Sequence, residues 1–427
     1  MTPTELKNWR IVKIEEIGEV IGGGTPSTNN PEYFGGDISW ITPKDLSDHK
    51  EIFIEKGERS ITKKGLQNSA ARLLPEGTVL FTSRAPIGYI AIAKNEVTTN
   101  QGFKSIICNS KLVNNKFVFY VLTYNKNKIE SISSGSTFKE VSGTALKNFE
   151  ILLPPLNEQI KIANILFELD SKIEINQQMN KTLEAICQAI FKQWFIDFEF
   201  INEKGKPYRS SGGQMIESEL GEIPKGWKVE KFSKIMSIRG RIGWKGYTTE
   251  DLVDEGPWVI GGREINSGYI SFTNCKHITQ IKYDESPEIK LLDKDIILAK
   301  TGTIGPVAMY RDYMGNGTIN PNVAIIRAVG VISEYILYLL KTEKCQHHLK
   351  EFQTASVQPA INQETIRNMN IIIPEEKIQK KYESLILSIT NLINHNVSQI
   401  DNLQIIRDSL LPKLMSGKIR VPVEVLQ

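Results

Sequence analysis

EILLPPLNEQIKIANIL, residues 150–166, carries an apolar strand-like run through two prolines into a helical period, and NIIIPEEKIQKKYESLI, residues 370–386, does so through one. Pro154 and Pro374 stand 220 residues apart in a chain of 427. Proline withholds a backbone donor and ends the strand, and the 3–4 spacing of apolar residues beyond it is that of a helix. A junction repeated halfway along the chain predicts an internal duplication.

The correspondence extends outward from this junction. WRIVKIEEI at Trp9 matches WKVEKFSKI at Trp227, LLPEGTVLFTSRAPIG matches KLLDKDIILAKTGTIG with Gly88 against Gly305, and TTNQGFKSII matches TINPNVAIIR with Asn100 against Asn320. The anchors keep their order while their offsets drift, as small loop changes after a duplication would leave them. TVLFTS, YIAIA and FKSIIC in the first copy, and DIILAK, PVAMY and NVAIIRAV in the second, are β-branched or aromatic runs bounded by Gly, Pro and Asn, and predict strands. NKFVFYVLTYNKNKI and SEYILYLLKTEKCQHHL predict one helix per copy.

After each proline the period lengthens to sevens. One stripe is Ile162, Leu169, Asn176, Leu183 and Ile190 with Leu166, Ile173, Asn180, Cys187 and Trp194; the other is Ile378, Leu385, Leu392, Gln399 and Ile406 with Tyr382, Ile389, Asn396, Leu403 and Leu410. Such stripes predict two coiled-coil helices of about 40 residues, each ~60 Å long at 1.5 Å per residue, that pack on each other. Leu166, Leu169, Ile173, Leu183, Ile389, Leu392 and Leu403 are the expected apolar pairing residues. Asn176, Asn180, Asn396 and Gln399 fall mid-stripe, either as a buried polar layer that sets register or as a water-facing gap in the seam. The expected fold is α+β: two mixed α/β lobes joined by two long antiparallel coiled-coil helices in a pseudo-two-fold internal repeat. If the helices run antiparallel, the lobes lie at opposite ends of a rod. Residues 199–226, rich in Gly, Ser, Lys and Glu, read as the exposed connection.

Four cysteines far apart, without a C-x-x-C pair, point to reduced structural thiols and away from zinc. The charged N-terminus and the absence of a long apolar run argue against export and membrane insertion, so a cytoplasmic location is expected. The net charge of +3 is unevenly placed. Residues 97–129 hold five lysines and no acid, 231–249 hold five cations and no acid, and 154–226 hold 8 basic against 11 acidic residues. Two basic lobes around a neutral to acidic connector suit a partner touched at two places and bridged between them, although ordinary solvated faces give the same counts.

Motifs for chemistry fail one by one. GGGTPS lacks the lysine of a phosphate loop and the third glycine of a dinucleotide fingerprint, NPEY and NPNV miss the third position of the Asn-Pro-Pro-Tyr base-flipping motif, and His347 and His348 have no metal-ligand spacing. No catalytic residue and no metal site is expected. SRAPIG and KTGTIG differ from these: each sets a cation, Arg84 or Lys300, in a Gly-containing turn at a strand end, a setting that serves either a phosphate contact by backbone and side chain or only a tight turn.

GGTPSTNNPEYFGGDISWITPKDL, SRAPIGYIAI, TNQGFKSI, LPPLNEQIKIANIL and KQWFIDFEF in the first half, and GEIPKGWKV and SLLPKLMSGKI in the second, resemble the DNA-specificity subunit of type I restriction-modification systems. The resemblance covers nearly the whole chain and departs most around RGRIGWKGYTTEDLVDEGPWVIGGREI. It implies target-recognition domains at 1–153 and 227–373, spacer helices at 154–198 and, with the C-terminal tail, 374–427, and a linker at 199–226. It further implies a non-catalytic chain that reads a bipartite site in double-stranded DNA. Two modification subunits carrying S-adenosylmethionine, and restriction subunits in a cleaving complex, would be its partners; no cofactor is implied in this chain. Expected DNA contacts are Lys44, Arg84 and Lys104 in the first lobe and Arg239, Arg241, Lys245, Arg263 and Lys300 in the second. A stand-alone or orphan DNA-binding adaptor, and a fused DNA methyltransferase, are the rival readings.

Overall fold

The computed structural model describes residues 8–47, 49–135, 139–241, 246–266, 268–272, 275–351 and 360–422. In both copies a buried glutamine holds the strand-to-helix junction. Gln159 Nε2 donates to the Pro154 carbonyl at 2.8 Å while its Oε1 accepts from Asn114 N at 3.0 Å. Gln379 Nε2 donates to the Pro374 carbonyl at 2.8 Å, and its Oε1 accepts from Ile332 N at 3.1 Å. Asn114 and Ile332 are the N-caps of the lobe helices Asn115–Ser131 and Ser333–Lys341, so one amide ties the start of each long helix to the start of its lobe helix. Both glutamines are buried with their polar atoms satisfied, as a dry position requires.

The chain divides into two compact units, Met1–Ile175 with Asn402–Gln427, and Asn176–Asp401. In the first, strand Arg10–Lys13 pairs antiparallel with Glu150–Leu153. A five-stranded sheet runs in the order Gly18–Gly22, Lys104–Cys108, Val79–Phe81, Ile90–Ala93, Phe53–Ile54. Val79, Leu80 and Phe81 are wholly buried, which explains why this central strand reads as an unbroken apolar run. A second sheet has the order Arg59–Ile61, Phe34–Ile41, Thr98–Thr99, its last pair parallel.

The other unit repeats the plan. Lys228–Lys231 pairs with Asn370–Ile373, a sheet runs Met236–Arg239, Val323–Ala328, Ile296–Ala299, Val307–Met309, and a second sheet runs Lys276–Ile278, Leu252–Ile260, Gly317–Ile319, again with the last pair parallel. All six predicted strand runs are strands. The predicted helix at 333–349 is two helices, Ser333–Lys341 and Glu343–Glu351, because Thr342 leaves the helical region and its Oγ1 accepts from Cys345 N as a new cap.

The long helices are Leu156–Phe195 and Glu376–Met415, 40 residues each. Within the first unit Ile162, Ala163 and Leu166 share a core with Leu414 and Met415, and Arg407 Nη1 donates to Asp170 Oδ1 at 2.7 Å. Asp170 also accepts from the Tyr120 hydroxyl at 2.7 Å, joining lobe helix and helix pair in one buried network. Within the second unit Asn176 Nδ2 donates to Gln399 Oε1 at 3.1 Å and Asn396 Nδ2 donates to Asn180 Oδ1 at 2.9 Å. Partners advance along one helix as they recede along the other, so the pairing is antiparallel. The mid-stripe polar residues form a buried layer rather than a gap: Asn176, Asn180 and Asn396 are all buried.

The second stripe needs a correction. Tyr382, Ile389 and Leu403 line the seam as expected, but Leu392 is 41% exposed and Leu385 and Ile406 are exposed with it. Ile386, Ile393 and Ile400 take their places. From Tyr382 a step of three or of four lands on an apolar residue, and packing against the partner helix selects four. Along the first helix Leu166 and Ile173 are buried, and Leu169 and Leu183 half-buried, as expected.

The connection at 199–226 is pinned rather than simply exposed. Phe200 stacks between Tyr208, 4.5 Å away, and Trp227, 5.3 Å away, and Met215–Ile216 pairs with Ile223–Pro224. In the first unit the matching tryptophan is clasped by charge. Trp9 Nε1 donates to Glu158 at 3.1 Å, and Arg420 grips the same buried carboxylate at 2.8 and 3.0 Å while lying over the Trp9 ring. Two strongly different chemistries thus close the same corner of the duplicated fold.

Candidate nucleic-acid interface

Three cations converge on the SRAPIG turn of the first unit. Arg84 follows strand Val79–Phe81, and Lys104 opens the neighbouring strand Lys104–Cys108. Glu140 lies 3.5 Å from Arg84 Nη1 and 3.1 Å from Lys104 Nζ, so two cations share one carboxylate and the cluster keeps a net positive charge. The third is Lys126, which sequence reasoning missed. Its stem crosses Gly88, where φ is +89° and an added Cβ would meet Lys126 Cγ at 2.7 Å. Its ammonium lies 5.8 Å from the Tyr89 ring centre. A glycine is required here both by the left-handed backbone and by the lysine stem above it. Lys126 belongs to the lysine run at 97–129, and only folding brings it over the turn. Lys44 stands apart from this cluster, exposed and ion-paired with Glu58 at 2.7 Å.

In the second unit Lys300 ends strand Ile296–Ala299 at the equivalent turn. Its backbone is held on both sides, N to the Asn322 carbonyl and O from Ile361 N, each at 2.9 Å. Burial pushes its ammonium pKa down, with no carboxylate acting against that shift. A half-desolvated cation of this kind gains most from an incoming anion. At Gly305 a neutral side chain, Gln346, replaces the role of Lys126 and donates to the Gly305 carbonyl at 2.9 Å. Arg239 is exposed and reaches the Glu288 carbonyl at 3.4 Å, and Arg263 is exposed. Lys245 lies outside the described residues.

Arg241 is corrected. It is buried, with Nε donating to the Ile319 carbonyl at 2.7 Å and Nη2 to the Thr318 hydroxyl at 3.0 Å. Those bonds join its loop to strand Gly317–Ile319, and the guanidinium serves the lobe interior rather than an outside ligand.

The chemistry-bearing side chains elsewhere are placed for structure. Burial pushes the Cys108, Cys275 and Cys345 thiols up to about 12, which keeps them protonated and poorly nucleophilic. His347 is exposed beside Glu351. Among the described residues no group of three or more His, Cys, Asp or Glu is placed to hold a metal ion, and no helix is long and apolar enough to cross a membrane.

This duplicated set of sheets, long helices and basic turns is that of a DNA-specificity protein. The model of the type I restriction modification DNA specificity domain matches residues 6–185 and 241–402, and the chain belongs to that family, which is defined by specificity and not by catalysis. It is 37% identical over 435 residues to the specificity subunit of the type I restriction enzyme MjaIX of Methanocaldococcus jannaschii, covering 97% of this chain and 94% of that one. The HindI specificity subunit of Haemophilus influenzae is 24% identical over 417 residues, covering 83% of this chain and 89% of that one. The solved type I restriction-modification S subunit of M. genitalium shares the fold at a TM-score of 0.57 and 15% identity, with 96% of each chain covered.

Proposed function

We propose that the chain is a DNA-recognition subunit that reads an asymmetric, bipartite duplex, one half-site with each lobe, and directs the modification and restriction subunits of a type I system to it. The observation that carries this reading is the duplication itself. Each unit holds two matching sheets, the larger extended by a fifth strand, Phe53–Ile54, in the first unit, with a cation-bearing glycine turn at the same place, yet the surface differs: Arg84, Lys104 and Lys126 on one, Lys300 and Gln346 on the other. One scaffold with two surfaces suits a target whose halves differ in sequence. The turn cations are assigned to phosphates, which fix position, while base edges in the major groove supply specificity.

The long helices take two parts in this reading. Paired with each other, they set the unread spacer between half-sites, which stand ~34 Å apart when one DNA turn separates them. Their exposed apolar residues, Ile165, Ile175, Ile405 and Ile406 in one unit and Met179, Ile186, Leu385 and Leu392 in the other, are the docking faces for two modification subunits, one per unit. S-adenosylmethionine is assigned to those partners. Mapping methylated adenines across the genome with and without the gene tests the proposal. Loss of one asymmetric bipartite motif is expected; an unchanged methylome in cells expressing the modification subunit refutes it.

A further inference from the structure

In each unit a tryptophan on the second sheet carries a planar, nitrogen-bearing side chain from the strand beside it. Trp40 faces Arg59 in the register of Phe34–Ile41 with Arg59–Ile61. Trp258 faces His277 in the register of Leu252–Ile260 with Lys276–Ile278. The Arg59 guanidinium carbon sits 5.1 Å from the Trp40 ring centre and 4.5 Å from that of Phe34, which meets Trp40 edge-on at 5.8 Å. The His277 ring centre lies 3.9 Å from that of Trp258, which has Phe272 on it at 4.8 Å. Each tryptophan is anchored by its own hydrogen bond, Trp40 Nε1 to the Gly24 carbonyl at 3.0 Å and Trp258 Nε1 to the Met314 carbonyl at 2.9 Å. These are rigid platforms at the same place in a duplicated fold, and they differ in what they present.

Three other cations of the first unit are held by acids: Lys44 by Glu58, Lys64 by Glu32 and Arg72 by Glu19. Arg59 is exposed and forms no ion pair with another described residue. Stacking engages the face of a guanidinium and leaves its in-plane N–H groups for an acceptor, with the rotamer already selected. His277 Nδ1 contacts the Gly256 carbonyl at 2.6 Å, so that nitrogen carries the hydrogen and donates, leaving Nε2 for a further partner.

We infer that the two stacked side chains are the base-reading positions of the two lobes, Arg59 donating both N–H groups of one edge to guanine O6 and N7, and His277 making one hydrogen bond through Nε2 to a base of the other half-site. This rests on the bipartite DNA reading above. A bidentate arginine–guanine pair discriminates by roughly five- to a hundredfold against the wrong base.

The test is selection of duplexes from a random-sequence pool by the purified full-length chain, with the selected half-sites compared between variants. Arg59→Gln keeps a planar side chain whose amide matches adenine, and it is expected to move one base pair of one half from guanine to adenine while the other half stays unchanged. Arg59→Lys keeps the charge and loses the two-pronged edge; discrimination at that same base pair should fall roughly five- to a hundredfold with an unchanged salt slope. His277→Arg is expected to change one base pair of the other half only. If all three variants select the wild-type motif and alter only overall affinity or the urea midpoint, the stacks are structural and the inference fails. A wild-type chain that enriches no two-part sequence would instead refute the bipartite reading, and the inference with it.

Discussion

Replacing Asn396 by leucine tests the polar layer between the long helices directly. Asn396 Nδ2 donates to Asn180 Oδ1 at 2.9 Å, and both side chains are buried. The single substitution strands that oxygen without a partner, while Asn180 Nδ2 keeps only its 3.4 Å contact with the Ile393 carbonyl. An orphaned buried acceptor costs about 1–3 kcal/mol. For a cooperative unit of 150–250 residues this lowers the melting temperature by roughly 2–12 °C. Replacing Asn180 as well removes the orphan and leaves an apolar layer, so the double variant is expected to be more stable than Asn396→Leu alone, with a coupling of at least about 1 kcal/mol. Urea unfolding followed by far-ultraviolet circular dichroism of the four proteins closes the cycle. A double variant as destabilised as the sum of the singles would refute the reasoning, because the asparagines would then not satisfy each other.

Three further outcomes follow from the same geometry. Burial pushes the Asp401 carboxyl up to about 6. The unfolded chain loses this proton near pH ~3.9 and the folded chain keeps it longer, so stability falls as pH rises between these values and stays reduced above them. Asp401 is only half-buried, so Asp401→Asn should gain about 1 kcal/mol at pH 8 and almost nothing at pH 4, read from urea midpoints. Alanine at both Arg84 and Lys104 should weaken binding to all duplexes alike and flatten the slope of log K against log salt by about 1 to 2; an unchanged slope would remove them from the phosphate contacts. Inserting one heptad into each long helix adds about 10 Å while keeping the seam in phase, and should lengthen the methylated motif's spacer by about three base pairs. An unchanged spacer in a folded variant would refute the ruler.

Part of the candidate site was legible because cations beside glycine turns recur at matched positions in the two copies. Arg84 and Lys300 were singled out that way, and the structure adds the physical detail of a carboxylate shared with Lys104 and a half-desolvated amine. Lys126 was hidden in a general lysine run, since nothing local indicates that a helix 38 residues further on crosses Gly88. Arg241 misled for the converse reason. A basic run looks the same whether its guanidinium faces water or a carbonyl such as that of Ile319.

The sequence by itself determined the duplication, the strand runs and the two 40-residue helices, because these depend on residue order, β-branching, proline and a period of three to four. Tertiary structure decided which residues meet. It chose Ile393 over Leu392 for the seam, since both satisfy the heptad and only the partner helix distinguishes them. It also set Arg59 on Trp40 and His277 on Trp258. Each cross-strand pair depends on register, and register here is shifted by an irregularity between Phe34 and Ile38 in one unit and between Val253 and Trp258 in the other. A shift of one residue would have turned those side chains to the opposite face, and no local pattern in the sequence specifies it.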